Sequence, residues 1–237
     1  MRAQQGVEFE YVVLDGDSQD GSQVLIDAEF CSAGSPISFW ESEQDGGIYD
    51  ALNKGIHLCK GDVVGFLHAD DELAGALILS KVSQCFSDPH VVACYGDLVY
   101  VARDNTEKVV RYWRAGSFDP NLLKSGWMPP HPTLYVRRSW YDMHGAFDTR
   151  YRIASDYDLM LRLLVNLQPH EKVVYLPEVM VRMRVGGESN RSIKNIVLKS
   201  SEDYRALKAN GVGGLRSLAM KNLSKLPQFF KKIIKPL

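Results

Sequence analysis

The sequence has no CxxC pair, and its four cysteines, Cys31, Cys59, Cys85 and Cys94, are scattered through apolar or mixed runs. That argues against a disulfide framework or a structural zinc site, and the cysteines read as reduced thiols of a cytosolic protein. No apolar run reaches the roughly 18–20 residues that span a bilayer, and the opening MRAQQGVEFE has no signal-peptide core. Walker A, GxGxxG, GxSxG and HExxH patterns are all missing, so the commonest local signatures for phosphate loops, dinucleotides, serine nucleophiles and catalytic zinc are absent. There is no internal repeat and no low-complexity linker. A net charge of −1 argues against a nucleic-acid partner on bulk electrostatics. One shortage is local: residues 214–237 contain no acid but six bases, Arg216, Lys221, Lys225, Lys231, Lys232 and Lys235. Subtracting those six from the total leaves the preceding part at −7, an acidic body with a basic tail.

What is present suits a globular α/β chain. It has 237 residues, 45% of them hydrophobic, enough to bury a core without staples. Apolar, β-branched runs at 9–14, 37–40, 62–67, 91–95, 133–136, 173–176 and 179–185 read as strands. Segments 22–29, 48–56, 77–86 and 155–167 carry helical spacing, the last opened by Ser155 or Asp156. Residues 98–113 read as a hairpin about Asp104-Asn105. The prolines of WMPPHP (127–132) restrict that stretch to an extended or turning path. Strands alternating with helices predict a mixed, mainly parallel sheet with active residues just beyond strand ends. The expected organisation is one α/β domain over residues 1–205 and a basic amphipathic tail over 206–237.

Two acidic clusters fall at strand ends. Asp15-Gly16-Asp17-Ser18-Gln19-Asp20 reads either as a polar turn or as a ligand loop. As an EF-hand it fails, because Asp20 stands where glycine is needed and Ile26 where the bidentate Glu belongs. Asp70-Asp71-Glu72 follows VVGFL, and adjacent carboxylates there repel unless a cation or donor offsets them. Mg²⁺ or Mn²⁺ holding a diphosphate suits such a pair, and a helix cap is the plainer reading. Asp156-Tyr157-Asp158 opens a helix, where carboxylates also serve as caps. His131, wedged among prolines, is either a structural or a catalytic histidine.

Five stretches taken in order resemble family-2 glycosyltransferases of the GT-A fold, the bacterial capsule, exopolysaccharide and lipopolysaccharide type: FEYVVLDGDSQDGS (9–22), ISFWESEQDGGIYDALNKGI (37–56), GDVVGFLHADDEL (61–73), the segment 129–164, and VRMRVGGESN (181–190). The resemblance implies transfer of a sugar, with inversion, from a nucleotide-diphosphate donor to a glycan or lipid-linked acceptor. It assigns Asp15 to the nucleotide base, Asp70 to the ribose, and Asp71 to Mg²⁺ or Mn²⁺ on the diphosphate. It assigns Asp45, Gly46, Gly47, Asp50, Asn53 and Lys54 to the donor-side segment, His131 to the cleft lining, and Asp156 to the catalytic base. The family's usual first strand and helix have no counterpart here, so the alternative is an impaired, sugar-nucleotide-binding remnant. In the tail, Leu215, Leu218, Leu223, Leu226, Phe230 and Ile233 recur at helical intervals among the six bases, a pattern suited to an anionic membrane surface at the inner face of the plasma membrane or to a packed helix with solvated lysines.

Overall fold

A computed structural model describes residues 1–186 and 193–223. In chain order the elements are β1 (Val12–Asp15), α1 (Ser22–Phe30), β2 (Phe39–Ser42), α2 (Ile48–Leu58), β3 (Val63–Gly65), β4 (Glu72–Leu73), α3 (Ile78–Cys85), β5 (Val91–Val101), β6 (Val109–Trp113), α4 (Pro120–Leu123), a 3₁₀ turn (His131–Thr133), β7 (Tyr135–Arg137), α5 (Arg138–His144), α6 (Ser155–Val165), β8 (Lys172–Arg184), α7 (Ile193–Ala209) and α8 (Leu215–Leu223).

Six strands form one sheet in the order β3-β7-β5-β8-β4, with β6 paired to the outer part of β5; β1 and β2 form a separate parallel pair. The sheet is mixed. Besides β1–β2, the parallel pairing is β5–β8, and β3–β7, β5–β7, β4–β8 and β5–β6 are antiparallel. Short returning strands such as β4 and β7 supply the antiparallel pairs, because they reach the sheet without a helical crossover.

Two predicted strands, 173–176 and 179–185, are one continuous strand. The pairing slips where Gly96 faces Leu176 and Asp97 faces Val179, so Pro177-Glu178 is a bulge rather than a break. The strand predicted at 91–95 likewise runs on through Val101 into the hairpin. At that bulge Asp97 is buried, and it accepts from Tyr112 Oη at 2.5 Å, Tyr175 Oη at 2.7 Å and the Ala115 amide at 2.8 Å. Three donors on one carboxylate satisfy a charge that would otherwise be costly to bury.

The main core lies between this sheet and α6, whose Tyr157, Leu161 and Leu164 pack with Trp140, Phe147 and Leu207. Of the eleven residues of α6, all but Asp156, Arg162 and Val165 are buried. A helix enclosed on nearly every side is held firmly, so the group at its first turn is held firmly too. The N-cap of α6 is Ala154, with no side-chain cap, and Ser155 lies within the helix. The cap expected from Ser155 or Asp156 is therefore absent, and Glu202 orders the entry instead, as described below. Helix α7 runs unbroken across the expected boundary at 205/206 and packs on α6.

Candidate active site

The site is assembled from the ends of β1 and β3, the start of α2, the proline-rich turn and the first turn of α6. At the end of β1, Asp15 accepts from the Ser18 amide at 2.9 Å and from Ser42 Oγ on β2 at 2.6 Å. These donors stabilise its anion and hold its carboxyl below the usual carboxylate range. Gly16 permits the next loop to close in, since a β-carbon there would sit 2.9 Å from Asp45 Oδ2. Asp45 accepts from the Gly47 amide at 2.8 Å and Asp50 from the Gly46 amide at 2.9 Å, a reciprocal turn that opens α2. Gly47 has φ 114°, a backbone that side-chain-bearing residues rarely adopt. Asp15, Asp45, Asp50 and Lys54 line one small cleft. Lys54 is held there by Glu41 at 2.9 Å and by Glu43. Asn53 is placed differently. Its amide nitrogen donates to Phe147 O and its amide oxygen accepts from Phe147 N, each at 2.8 Å, so both of its polar ends tie α2 to the loop before α6.

Beyond β3, Asp70 is exposed and Asp71 is buried at 9% exposure. Arg184 of β8 frames the pair by donating to Asp70 O at 2.9 Å and to Glu72 Oε1 at 2.9 Å. Asp71 Oδ2 is buried without a hydrogen-bond partner, and burial pushes this carboxyl up to about 6. At neutral pH Asp71 is thus an ionised, under-satisfied acid, which is the donor chemistry a hard divalent cation requires. The residues therefore fit Mg²⁺ or Mn²⁺. Among the described residues no group of three or more His, Cys, Asp or Glu gathers about a single point.

The strand-end acids and α6 are linked by two histidines. The His68 ring lies edge-on to His131, with centroids 5.5 Å apart, and His131 Nδ1 is 3.3 Å from Asp156 Oδ2. The 3₁₀ turn fixes His131: Thr133, fully buried, places Oγ1 3.0 Å from Gly96 O and 2.8 Å from Pro130 O. Burial pushes both imidazoles down, His68 to about 4, and for His131 it outweighs the attraction of Asp156. Both rings are neutral at pH 7. Asp158 is buried and committed to Arg162 at 3.0 Å and to Asn210 at 2.9 Å, which leaves Asp156 as the accessible acid of the pair.

The His68 environment sets a pH dependence. In the unfolded chain a histidine protonates near 6.5 and in the fold His68 does so near 4. The unfolded state therefore binds more protons between those values, and stability is lost as pH falls from 6.5 towards 4. The loss is on the order of 2–3 kcal/mol, and His68→Gln removes it. Urea midpoints at pH 7 and pH 5 for both proteins check this, and equal acid sensitivity of the two would contradict it.

Several working groups carry no local sequence signal. Glu202 of α7 is buried and accepts from the amides of Arg152 at 2.9 Å, Ile153 at 2.8 Å and Ala154 at 2.9 Å. From the other side Tyr49 of α2 donates to Ile153 O at 2.6 Å. The loop entering α6 is thus clamped between α2 and α7. Glu202→Gln leaves one acceptor oxygen for three amides, that of Ala154 buried, and a loss of about 1–3 kcal/mol is expected. A denaturation midpoint unchanged from the parent protein would show that the clamp carries no weight.

The two tail bases among the described residues differ: Arg216 is exposed and Lys221 is not. Lys221 is buried on α8, paired with Asp203 at 2.7 Å and lying 3.0 Å over the Tyr157 ring, so one of the six bases belongs to the core. Leu215 and Leu223 of α8 are exposed. Leu226, Phe230, Ile233, Lys225, Lys231, Lys232 and Lys235 lie outside the described residues. No helix of the described residues is long and apolar enough to cross a membrane.

The sequence profile described as glycosyl transferase family 2 matches residues 1–150. The chain belongs to glycosyl transferase family 2. It is by membership an enzyme of the glycosyltransferase class, with the GT-A fold. A PGL/p-HBAD biosynthesis glycosyltransferase of Mycobacterium bovis is 30% identical over 193 residues, which cover 81% of this chain and 72% of the relative. A glycosyltransferase of Mycobacterium tuberculosis, itself uncharacterized, is 29% identical over 162 residues, 68% of this chain and 59% of that one. Among solved structures, S. aureus TarS 1–349 in complex with UDP-GlcNAc superposes with TM-score 0.64 at 14% identity, covering 89% of this chain and 59% of TarS 1–349. The mannosyltransferase PcManGT from Pyrobaculum calidifontis, in complex with GDP-Man and Mn²⁺, gives TM-score 0.58 at 18% identity, covering 93% of this chain and 64% of that one. At these identities the structures establish the family's fold for this chain, and the chain spans less than two thirds of each.

Proposed function

We propose that this family-2 enzyme transfers a glycosyl group, with inversion, from a nucleoside-diphosphate sugar to a glycan or lipid-linked acceptor in surface polysaccharide synthesis. The observation that carries the reading is the run His68–His131–Asp156, which leads from the strand-end acids, where the Asp71 amide donates to His68 O, to an accessible carboxylate on a largely buried helix. Asp15, with Asp45, Gly46, Gly47, Asp50 and Lys54 beside it, forms the nucleotide side. Asp70 takes the ribose, and Asn53 acts by holding the loop at Phe147. Asp71 holds Mg²⁺ or Mn²⁺, which when bound neutralises charge developing on the leaving diphosphate. His131 is neutral and positions the Asp156 carboxylate. Asp156 accepts the proton of the attacking hydroxyl as that oxygen bonds to the anomeric carbon. One displacement on the face opposite the diphosphate inverts the centre.

The two solved neighbours that hold UDP-GlcNAc and GDP-Man with Mn²⁺ support the donor class and the cation. Exposed Leu215 and Leu223 together with the tail bases support a peripheral site on an anionic membrane surface at the inner face of the plasma membrane, where a lipid-linked acceptor would lie. The test is acceptor-dependent release of nucleoside diphosphate from a panel of UDP- and GDP-sugars with Mn²⁺. The reading expects one donor whose release rises when a bacterial glycan or lipid-linked saccharide fraction is added. Donor binding with no acceptor-dependent release from any donor would favour the remnant reading.

A further inference from the structure

Lys221 is a buried cation that the proposed reaction does not use. It lies on α8 with Nζ 2.7 Å from Asp203 Oδ1 of α7 and 3.0 Å from the centroid of the Tyr157 ring of α6. All three residues are at most 2% exposed, so three helices meet at one enclosed point. Helix α8 is inverted for a surface helix. Ser217 and Lys221 are buried, while Leu215, Met220 and Leu223 are exposed. An ammonium is costly to bury unless it is paired, so docking of α8 depends on Asp203 and the Tyr157 ring meeting Lys221. The surface beneath α8 is shaped to fit it. At Gly126 (φ 76°) a β-carbon would sit 2.5 Å from Lys221 Cβ and 2.7 Å from Ser217 O, and at Gly213 one would strike the Ser217 side chain.

Both contacts of α8 lead to Asp156. Tyr157 is its chain neighbour, and the Tyr157 amide donates to Asp156 Oδ1 at 2.8 Å. Gly126 opens the proline-rich run that carries His131, whose Nδ1 is 3.3 Å from Asp156 Oδ2. Each oxygen of the carboxylate is therefore set by a segment that α8 touches. On α7, the residue before Asp203 is Glu202, which orders the amides of residues 152–154 ahead of α6. We propose that Lys221 is a positioning residue of this enzyme: wedged between Asp203 and the Tyr157 ring, its ammonium fixes the first turn of α6 and thereby the direction of the Asp156 carboxylate. This role rests on the reading of Asp156 as the base. It makes α8 a working part of the catalytic unit, because a base displaced by about 1 Å can lose on the order of 10²-fold in rate.

The test compares Lys221→Met with Val82→Ala, a truncation in the core cluster built from α3 and the strands. Both are studied as full chains, below the lower of their melting temperatures. Amide hydrogen exchange is read by NMR without donor, and kcat, KM and donor affinity are measured in Mn²⁺. Lys221→Met is expected to speed exchange of the Tyr157 amide and of the Asp158 amide, which donates to Ala154 O at 3.0 Å, about tenfold or more. It is expected to lower kcat about tenfold or more with donor affinity within about threefold. Val82→Ala is expected to do neither. Asp203→Asn, whose amide oxygen still accepts from Lys221, decides the matter if Lys221→Met does not fold. Its expected effect on both readouts is about threefold in the same direction. First-turn exchange and kcat that match those of Val82→Ala, or faster exchange with unchanged kcat, would overturn the proposal. The base reading fails separately: near-parental turnover in Asp156→Asn overturns the base and this role with it, whereas an inactive Asp156→Asn beside a fully active Lys221→Met overturns the role alone.

Discussion

Replacing Asp156 with Asn lowers turnover about 10²–10⁴-fold while donor affinity stays within about threefold. Asn preserves the shape of the first turn of α6 and can still accept from the Tyr157 amide, which Asp156 Oδ1 meets at 2.8 Å. It cannot take a proton. The neighbouring His131 does not substitute, because its ring is held 3.3 Å from the carboxylate by a turn anchored through Thr133. The effect therefore falls on the chemical step rather than on binding, and kcat and KM measured separately distinguish the two. A variant with near-parental turnover would remove Asp156 from the reaction. Asp158 would not inherit the role, since both of its oxygens are engaged by Arg162 and Asn210.

Asp71→Ala abolishes metal-supported donor binding, by ~100-fold or more, and a chelator does the same to the unmodified protein. The substitution is not expected to unfold the protein. Asp71 Oδ2 is buried with no partner, and burial holds its carboxyl up at about 6, so at pH 7 the fold bears the cost of an ionised buried acid. Removing that acid should leave the melting temperature in chelator equal or higher. Mn²⁺ should stabilise the parent protein and not the variant. If donor binding survives exhaustive chelation, the diphosphate is held by side-chain cations. Lys54 is then the first to test, because Arg137 is spent on the carbonyls of Val91, Phe86 and Asp88.

How far the site was legible in the sequence depended on how local each signal is. The run VVGFL ending in adjacent acids announces β3 and its loop, because a buried strand rarely runs straight into paired carboxylates unless a cation or a donor meets them there. The acids at 156 and 158 share the first turn of α6, and being two residues apart they face different sides of the helix. Which of them is free was decided by Arg162 and Asn210, and Asn210 lies 52 residues away. Glu202 gave no signal at all: it reads as one charge on an amphipathic helix until α7 packs against α6 and three amides turn towards it. The same holds for Lys221, which counts as a tail cation in the sequence and becomes a core ion pair only when α8 packs on α7. The sheet direction was obscured by short strands, since two or three residues in β4 and β7 are enough to pair but too few to show a period.

The most direct measurement is calorimetric titration of the parent protein, Asp71→Ala and Asp156→Asn with UDP- and GDP-sugars, in Mn²⁺ and in chelator. The account predicts that at least one nucleotide sugar binds the parent and Asp156→Asn alike in Mn²⁺, and that Asp71→Ala or chelator removes the binding. Binding of a nucleotide sugar that is unchanged by Asp71→Ala and by chelator, or that is lost on Asp156→Asn, would contradict the division of the site into a cation-held donor and a separate base.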